Sequence, residues 1–315
     1  MRPIIFERPW VVVGASGDDN HLQSFTRALS GTDLPRQFAM LAGERSLLQS
    51  TLELAAAITD LDRILVVVSA RHADLAREQI GPIPGVEIVV QPRDLDSAPA
   101  TLLPLARVLE RDPLGRVVFL PAHHYIADGM PLLEALGTAS LPPVRDHVTL
   151  IGATPTGTDV EDGWIVRGQA FEGTDAYQVR RLCDVPAGPC AERIRQLGGL
   201  WNTLIAAGPI TAFWDLVRAH LPEHAARFER YIDAIGTGDE RRTLIEAYAA
   251  MAPADFNRDL LAKARDLAVI PTADTGWSDW DSPRQVIQSL QGTPLFDHLL
   301  ARIRESVPPP FARAS

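Results

Sequence analysis

The 315-residue sequence predicts an α/β fold in which a mostly parallel sheet lies between helices. Two observations carry that expectation. Through the first half of the chain, short Val- and Ile-rich runs alternate with stretches of helical spacing, and such alternation implies parallel strands covered on both faces. The first run, Trp10–Val13, leads directly into a small-residue loop, Gly14 to Asn20, and Pro35-Arg36-Gln37-Phe38 follows. A glycine-containing loop after a first strand can aim backbone N–H groups at a phosphate.

The elements follow in order. Trp10–Val13, Arg63–Ser69, Val86–Gln91, Arg116–Leu120 and His147–Gly152 are short apolar runs and read as buried strands. Between them, Ser46–Thr59, Ala73–Ile80, Ala98–Arg111 and Met130–Ala139 carry helical spacing. Residues 205–264 read as a helical portion, with Trp214, Leu216, Val217 and Leu221 on one face and Phe228, Tyr231 and Ile232 continuing it. Asp266–Pro271 returns to a strand, Gly276–Pro283 is a turn-rich loop and Arg284–Leu290 is a helix. Residues 1–305 are expected to form a single domain with a helical insertion at about 205–264, and residues 306–315, with consecutive prolines, a loosely held tail. In sheets of this kind ligands bind beyond the carboxyl ends of the strands. The loop after Val13 and the segment Pro121–Asp128 should both lie there.

Composition sets limits. Apolar residues make up 46% of the chain, enough for a sizeable core, and the net charge is −10. That charge argues against nucleic acid as the main partner but leaves room for a small nucleotide in a local positive pocket. The two cysteines, Cys183 and Cys190, are too few for a disulfide framework or a thiolate zinc site. No run of eighteen apolar residues and no charged-then-apolar leader is present, so a cytoplasmic protein with no membrane partner is expected.

Several short segments could carry chemistry, and each has a plainer structural reading. Gly14 and Gly17 either cradle a phosphate or simply turn the chain; Asp18 and Asp19 between them and the next element would repel a triphosphate. Arg36 either clamps a phosphate in two-pronged fashion or is a surface cation. His123 and His124, as neighbours, point apart and make a poor metal pair; one faces the ligand crevice, or both pack or cap. Asp279 and Asp281 lie near Trp277 and Trp280, suited to Mg²⁺ with substrate phosphates or to capping a turn. Asn202 beside Trp201, and Gly163 beside Trp164, could meet a sugar or be core.

The order of these segments resembles the mannose-1-phosphate guanylyltransferases, a branch of the sugar nucleotidyltransferases, over about Trp10 to Leu290. The family loop LAGG-x-GTRL aligns with Gly14–Leu22, PKQF with Pro35–Phe38, G-x-x-SLLQ-T with Gly43–Thr51, and QP-x-x-x-x-TAPA with Gln91–Ala100. P-[AS]-DH aligns with Pro121–His124, YGWI with Asp162–Ile165, F-x-EKP with Leu182–Pro186, LWNS with Leu200–Thr203, and WSDWG with Trp277–Asp281. The resemblance implies a Rossmann-like, GT-A-like nucleotidyltransferase fold and the reaction of GTP with mannose 1-phosphate to give GDP-mannose and pyrophosphate.

It also implies site roles. Gly14, Ala15, Gly17, Gln91, Ser97 and Ala98 would bind the nucleotide, Gly163 and Asn202 the sugar, and Arg36, His21 and Asp279 would act in catalysis. Asp279 and His123 would hold Mg²⁺ or Mn²⁺. Charge-handling positions depart from the family pattern. His21 stands for the loop arginine, Ser16 and Asp19 for loop glycines, Arg36 for a lysine, His123 for a metal-binding aspartate and Val185 for a lysine. The expected result is weak or lost catalysis. The alternatives are a silent nucleotide- or sugar-nucleotide-binding regulatory paralogue of an active enzyme, or a structural partner, either as a homo-oligomer or with that paralogue.

Overall fold

The computed structural model describes residues 8–17, 21–41, 43–156, 163–184, 186 and 188–306. Its strands are β1 Trp10–Gly14, β2 Ile64–Ser69, β3 Glu87–Gln91, β4 Arg116–Pro121, β5 Val148–Ala153, β6 Trp164–Ala170, β7 Tyr177–Cys183, β8 Leu200–Pro209 and β9 Leu267–Thr272. The helices are α1 Gln23–Ser30, α2 Leu47–Ile58, α3 Ala73–Ile80, α4 Ser97–Arg111, α5 Met130–Thr138 and α6 Gly188–Gln196. They continue as α7 Ile210–His220, α8 Pro222–Ala234, α9 Glu240–Ala250, α10 Pro283–Leu290 and α11 Pro294–Ser306. Strands β1 to β5 and helices α2 to α5 fall within one residue of their predicted ends.

One sheet runs through the molecule in the order β3-β2-β1-β4-β8-β5-β9-β7-β6. Strands β3, β2, β1 and β4 are mutually parallel, as the alternation predicts. β8 enters antiparallel between β4 and β5, and β7 pairs antiparallel with β9 and β6. The sheet is therefore mixed, with its parallel part holding the first-strand loop. Alternate residues of β1 face opposite layers: Trp10 and Val12 belong to the core shared with α4, α7 and α8, while Val11 and Val13 belong to that shared with α2, α3 and α5. Burial on both faces explains why this strand is apolar throughout rather than alternating.

The reading of 205–264 as helical needs correction at its start. Ile205 to Pro209 is the second half of β8, and the helices begin at Ile210. Ala206, Ala207 and Gly208 are small because β8 is packed between two neighbours; a Cβ on Gly208 would come 2.8 Å from the His147 carbonyl oxygen. Small residues that are good helix formers thus disguised a central strand. From Ile210 onward the prediction fits, with Phe213, Trp214, Val217, Phe228, Tyr231 and Tyr248 all in the core.

Helices α10 and α11 fold back over the start of the chain: Trp280, Val286, Leu290 and Leu299 pack with Leu22, Leu41 and Leu47. Ser306 ends α11, and residues 307–315 of the expected tail lie outside the described residues. No described helix is long and apolar enough to cross a membrane.

Candidate functional site

A cleft of about 560 Å³ opens beyond the carboxyl ends of β1 and β4. Gly14, Ser16 and Gly17 line one side and Pro121 and His123 the other, so both predicted loops lie at it. Val12, Val67 and Phe119 form its floor. Its far wall is Asp94, Asp96 and Ser97 before and at the start of α4, together with Leu204 and Asp255–Phe256–Asn257.

The first loop is pinned from behind. Ala15 N–H donates to the Val67 carbonyl at 2.9 Å, and Ala122 N–H donates to that of Gly14 at 2.9 Å. Gln37 Nε2 donates to the carbonyls of Ala15 at 3.1 Å and Gly17 at 2.8 Å. Gln37 is buried, which explains the glutamine of the PRQF turn without assigning it any chemistry. A Cβ on Gly14 or Gly17 would meet nothing within 4 Å, and neither residue has positive φ. Glycine here leaves room at the cleft wall. Ala15 is buried behind that wall with its N–H already bonded. His21 is exposed and lies outside the cleft lining. Asp18, Asp19, Asp162 and Val185 lie outside the described residues.

The start of α4 is likewise satisfied by the protein. Asp96, at φ 74°, caps the helix, its carboxylate accepting from Ser97 N–H at 2.7 Å. Ala98 N–H donates to the Ala254 carbonyl at 2.8 Å. A helix N-terminus attracts an anion through such N–H groups, and here an aspartate of the chain itself takes that position. Ser97 Oγ donates to Asp255 Oδ2 and accepts from Phe256 N–H, both at 2.8 Å, tying α4 to the π-helical turn Phe256–Leu260. Gln91 is fully buried at the end of β3; its Oε1 accepts from the Tyr248 hydroxyl at 3.4 Å and its Nε2 makes no hydrogen bond. Of the predicted nucleotide residues, Gly14, Gly17 and Ser97 face the cleft, while Ala15, Gln91 and Ala98 do not.

A bulge in β8 arranges the predicted sugar residues. Pairing with β5 shifts between Ile151 and Gly152, and Leu204 takes φ 55°, which turns its side chain into the cleft. Asn202 is buried; its Oδ1 accepts from Leu204 N–H at 3.1 Å and its Nδ2 donates to Asn257 Oδ1 at 3.0 Å. Asn202 N–H donates to the Gly163 carbonyl at 2.8 Å. Asn202 thus supports Asn257, which faces the cleft. Sequence reasoning missed Asn257 and Asp255 because the helical reading of residues 205–264 hid the π-helical turn.

The charged cluster lies behind His123. Arg36, 6% exposed, donates from Nη1 to Asp281 Oδ1 at 2.9 Å and to the Asp279 carbonyl at 3.0 Å, and the same nitrogen is 3.4 Å from Asp279 Oδ1. Arg36 is neither a surface cation nor a wall of the cleft; it joins the PRQF turn to the WSDWD loop. His124 is buried, with Trp277 Nε1–H donating to its Nδ1 at 3.2 Å and its Nε2 3.3 Å from Asp279 Oδ1.

Burial would raise the Asp279 carboxyl, but the His124 ring N–H and the Arg36 guanidinium outweigh it and hold the group well below the usual carboxylate range. Burial, reinforced by the Arg36 guanidinium, pushes the His123 imidazole well below its ordinary value. Both rings do turn toward one point: ligand atoms of His123, His124 and Asp279 lie within 4.8 Å of one another. The expectation that adjacent histidines point apart fails because β4 ends at Pro121, so strand alternation no longer applies. As a donor set, two imidazoles and one carboxylate do not fit Mg²⁺, which takes oxygen ligands. They suit transition metals such as Zn²⁺ better than Mg²⁺ or Mn²⁺.

Comparison with known proteins agrees with this architecture. A family model described as nucleotidyl transferase matches residues 23–211. The mannose-1-phosphate guanylyltransferase of Salmonella muenchen is 27% identical over 267 residues, covering 81% of this chain and 55% of its own length. Mannose-1-phosphate guanylyltransferase 2 of Escherichia coli O157:H7 is 26% identical over 292 residues, covering 86% of this chain and 58% of its own length. The chain thus spans a little over half the length of these relatives. A crystal structure from Thermus thermophilus, described as a mannose-1-phosphate geranyltransferase, superimposes with a TM-score of 0.79 at 26% identity, over 91% of this chain and 80% of that one. With a matching family model across more than half its residues, the chain belongs to the nucleotidyl transferase family.

Proposed function

We propose that this chain is a mannose-1-phosphate guanylyltransferase-like protein that binds a nucleoside or sugar nucleotide but transfers the nucleotidyl group weakly or not at all. One observation carries the reading: among the described residues, the cleft lining includes Asp94, Asp96 and Asp255 and no arginine or lysine. The loop Gly14–Leu22 also contains neither by sequence.

The family reaction brings two anions together. A sugar phosphate attacks the α-phosphorus of a nucleoside triphosphate in line, and the protein must offset the charge. In this chain Arg36 is engaged by Asp279 and Asp281. His123, the one imidazole among the described lining residues, is held toward its neutral form. A carboxylate about 4 Å from a phosphate costs on the order of 4 kcal/mol at an effective dielectric near 20. The loss of one preorganised charge-stabilising group costs roughly 10²–10³ in rate. The floor and α4 wall, by contrast, keep an apolar slot with hydrogen-bond acceptors at its rim, suited to the base and ribose. We place such a binder in the cytoplasm, in a regulatory role beside an active relative.

Two measurements test this. Protein incubated with GTP, mannose 1-phosphate and Mg²⁺ or Mn²⁺ should release pyrophosphate at no more than background. Robust turnover that Asp279→Ala abolishes would overturn the reading. In calorimetric titrations, guanosine and GDP-mannose should bind at least as tightly as GTP. The absence of binding by all three would leave a structural partner.

A further inference from the structure

We propose that the Asp279 carboxylate is closed to a divalent cation by the protein's own donors, and that Trp277 enforces this through the tautomer of His124. The cluster would otherwise be a two-histidine, one-carboxylate site. His123, His124 and Asp279 bring one ligand atom each within 4.8 Å of one another. His124 Nε2 and Asp279 Oδ1, 3.3 Å apart, are both buried and neither makes a full hydrogen bond. That spacing is what two ligands of one small metal ion require, since bonds of about 2.1 Å at tetrahedral or octahedral angles leave them roughly 3.0–3.4 Å apart.

Two facts keep the ion out. An indole N–H can only donate. Trp277 Nε1–H points at His124 Nδ1 at 3.2 Å, so that nitrogen must present its lone pair. With a lone pair at Nδ1, the ring's one proton is on Nε2, facing Asp279. The nitrogen that would coordinate has no lone pair to give. Metal-binding histidines have the opposite arrangement, with the far nitrogen donating to an acceptor that fixes the ring. The second fact is Arg36. Its guanidinium lies 3.4 Å from the same Asp279 oxygen and is itself anchored by Asp281 at 2.9 Å. A metal bound at that oxygen would sit beside a buried, permanent positive charge.

The site is thus a latent transition-metal site held metal-free by one hydrogen bond and one ion pair. Trp277→Phe keeps a packed ring and removes the donor, which lets the His124 proton move to Nδ1 and frees Nε2. Arg36→Gln added to it removes the competing cation. The experiment titrates Co²⁺ into tag-free protein by visible absorption and Zn²⁺ by calorimetry, with circular dichroism melting as a check on folding.

The unmodified chain should give no saturable, Asp279-dependent Co²⁺ spectrum. Trp277→Phe should bring in an Asp279-dependent spectrum, its affinity at least about 10–100-fold above the limit set by the unmodified chain, the range by which a ligand's supporting hydrogen bond alters metal affinity. The double variant should bind tighter still, and His123→Ala or Asp279→Asn should abolish the gain. Stoichiometric Co²⁺ binding by the unmodified chain that Asp279→Asn removes would overturn the proposal, as would folded variants that gain nothing. Imidazole ¹⁵N shifts of the unmodified protein test it without any variant. His124 should be the Nε2–H tautomer, and an Nδ1–H or doubly protonated ring overturns the proposal.

Discussion

The β1 loop lines the cleft and the WSDWD loop packs behind it, against the segment that carries His123, yet they use polar side chains differently. Around the β1 loop, uncharged groups bond backbone. Gln37 holds the Ala15 and Gly17 carbonyls, and Ser46 and Gln49 form a reciprocal capping box at the start of α2. Around the WSDWD loop, charged groups bond one another: Arg36 pairs with Asp279 and Asp281, and the His124 ring lies 3.3 Å from Asp279. Both arrangements hold the fold. Neither turns a lysine or arginine toward the cleft, whose described lining is acidic at the α4 end. A nucleotidyltransferase scaffold can therefore keep the segments that identify it while its polar groups face inward.

The largest expected effect breaks the ionic side of that comparison. Arg36→Ala removes a guanidinium that is 6% exposed and leaves Asp279 and Asp281 facing each other at one loop. Removing one partner of a buried pair costs about 3–5 kcal/mol; the partly exposed aspartates place this case near the low end, about 3 kcal/mol. Urea unfolding measures it. A loss below about 1 kcal/mol would mean that the cluster is incidental to stability and that Arg36 is available to a ligand.

A second substitution sharpens the contrast between cleft and cluster. Asp94→Asn with Asp96→Asn removes two carboxylates from the cleft wall, and asparagine still caps a helix well, so α4 should persist. Affinity for GTP should rise about tenfold relative to guanosine, roughly 1.4 kcal/mol of relieved repulsion. An unchanged ratio would show that the triphosphate does not approach α4.

How much of this was legible in the sequence depends on range. β1, β2, β4 and β5 announce themselves because each is a short apolar run covered on both faces, and β3, at the sheet edge, because it still carries Ile88, Val89 and Val90. The hairpin β6–β7 is half exposed and carries Arg167, Gln169, Arg180 and Arg181, so its pattern is diluted. β8 is concealed by alanines and by the bulge at Leu204. The cleft followed from topology alone, since both loops end adjacent parallel strands. The cluster did not. Trp277 and His124 are 153 residues apart, and only the fold brings an N–H donor to that ring. Residue type suggested that Arg36 would meet phosphate, but the partner that wins is Asp281, 245 residues away.

The smallest effect tests whether the cluster is electrostatic in origin. Asp279 has its carboxyl held well below the usual range by the His124 ring N–H and the Arg36 guanidinium, against the opposing effect of burial. A carboxyl whose folded-state value is depressed adds stability above its unfolded value, about 4, and loses it as pH falls toward the folded value. Asp279→Asn removes the ionisation while keeping the shape. At pH 7 the substituted protein should be less stable by about 1 kcal/mol, because Arg36 retains Asp281 and the residue 279 carbonyl. Between pH 5 and pH 2 the unmodified protein should lose stability faster, so the two unfolding curves converge. A gap that stays constant over that range would assign the contribution of Asp279 to packing, and the ionic side of the comparison would fall with it.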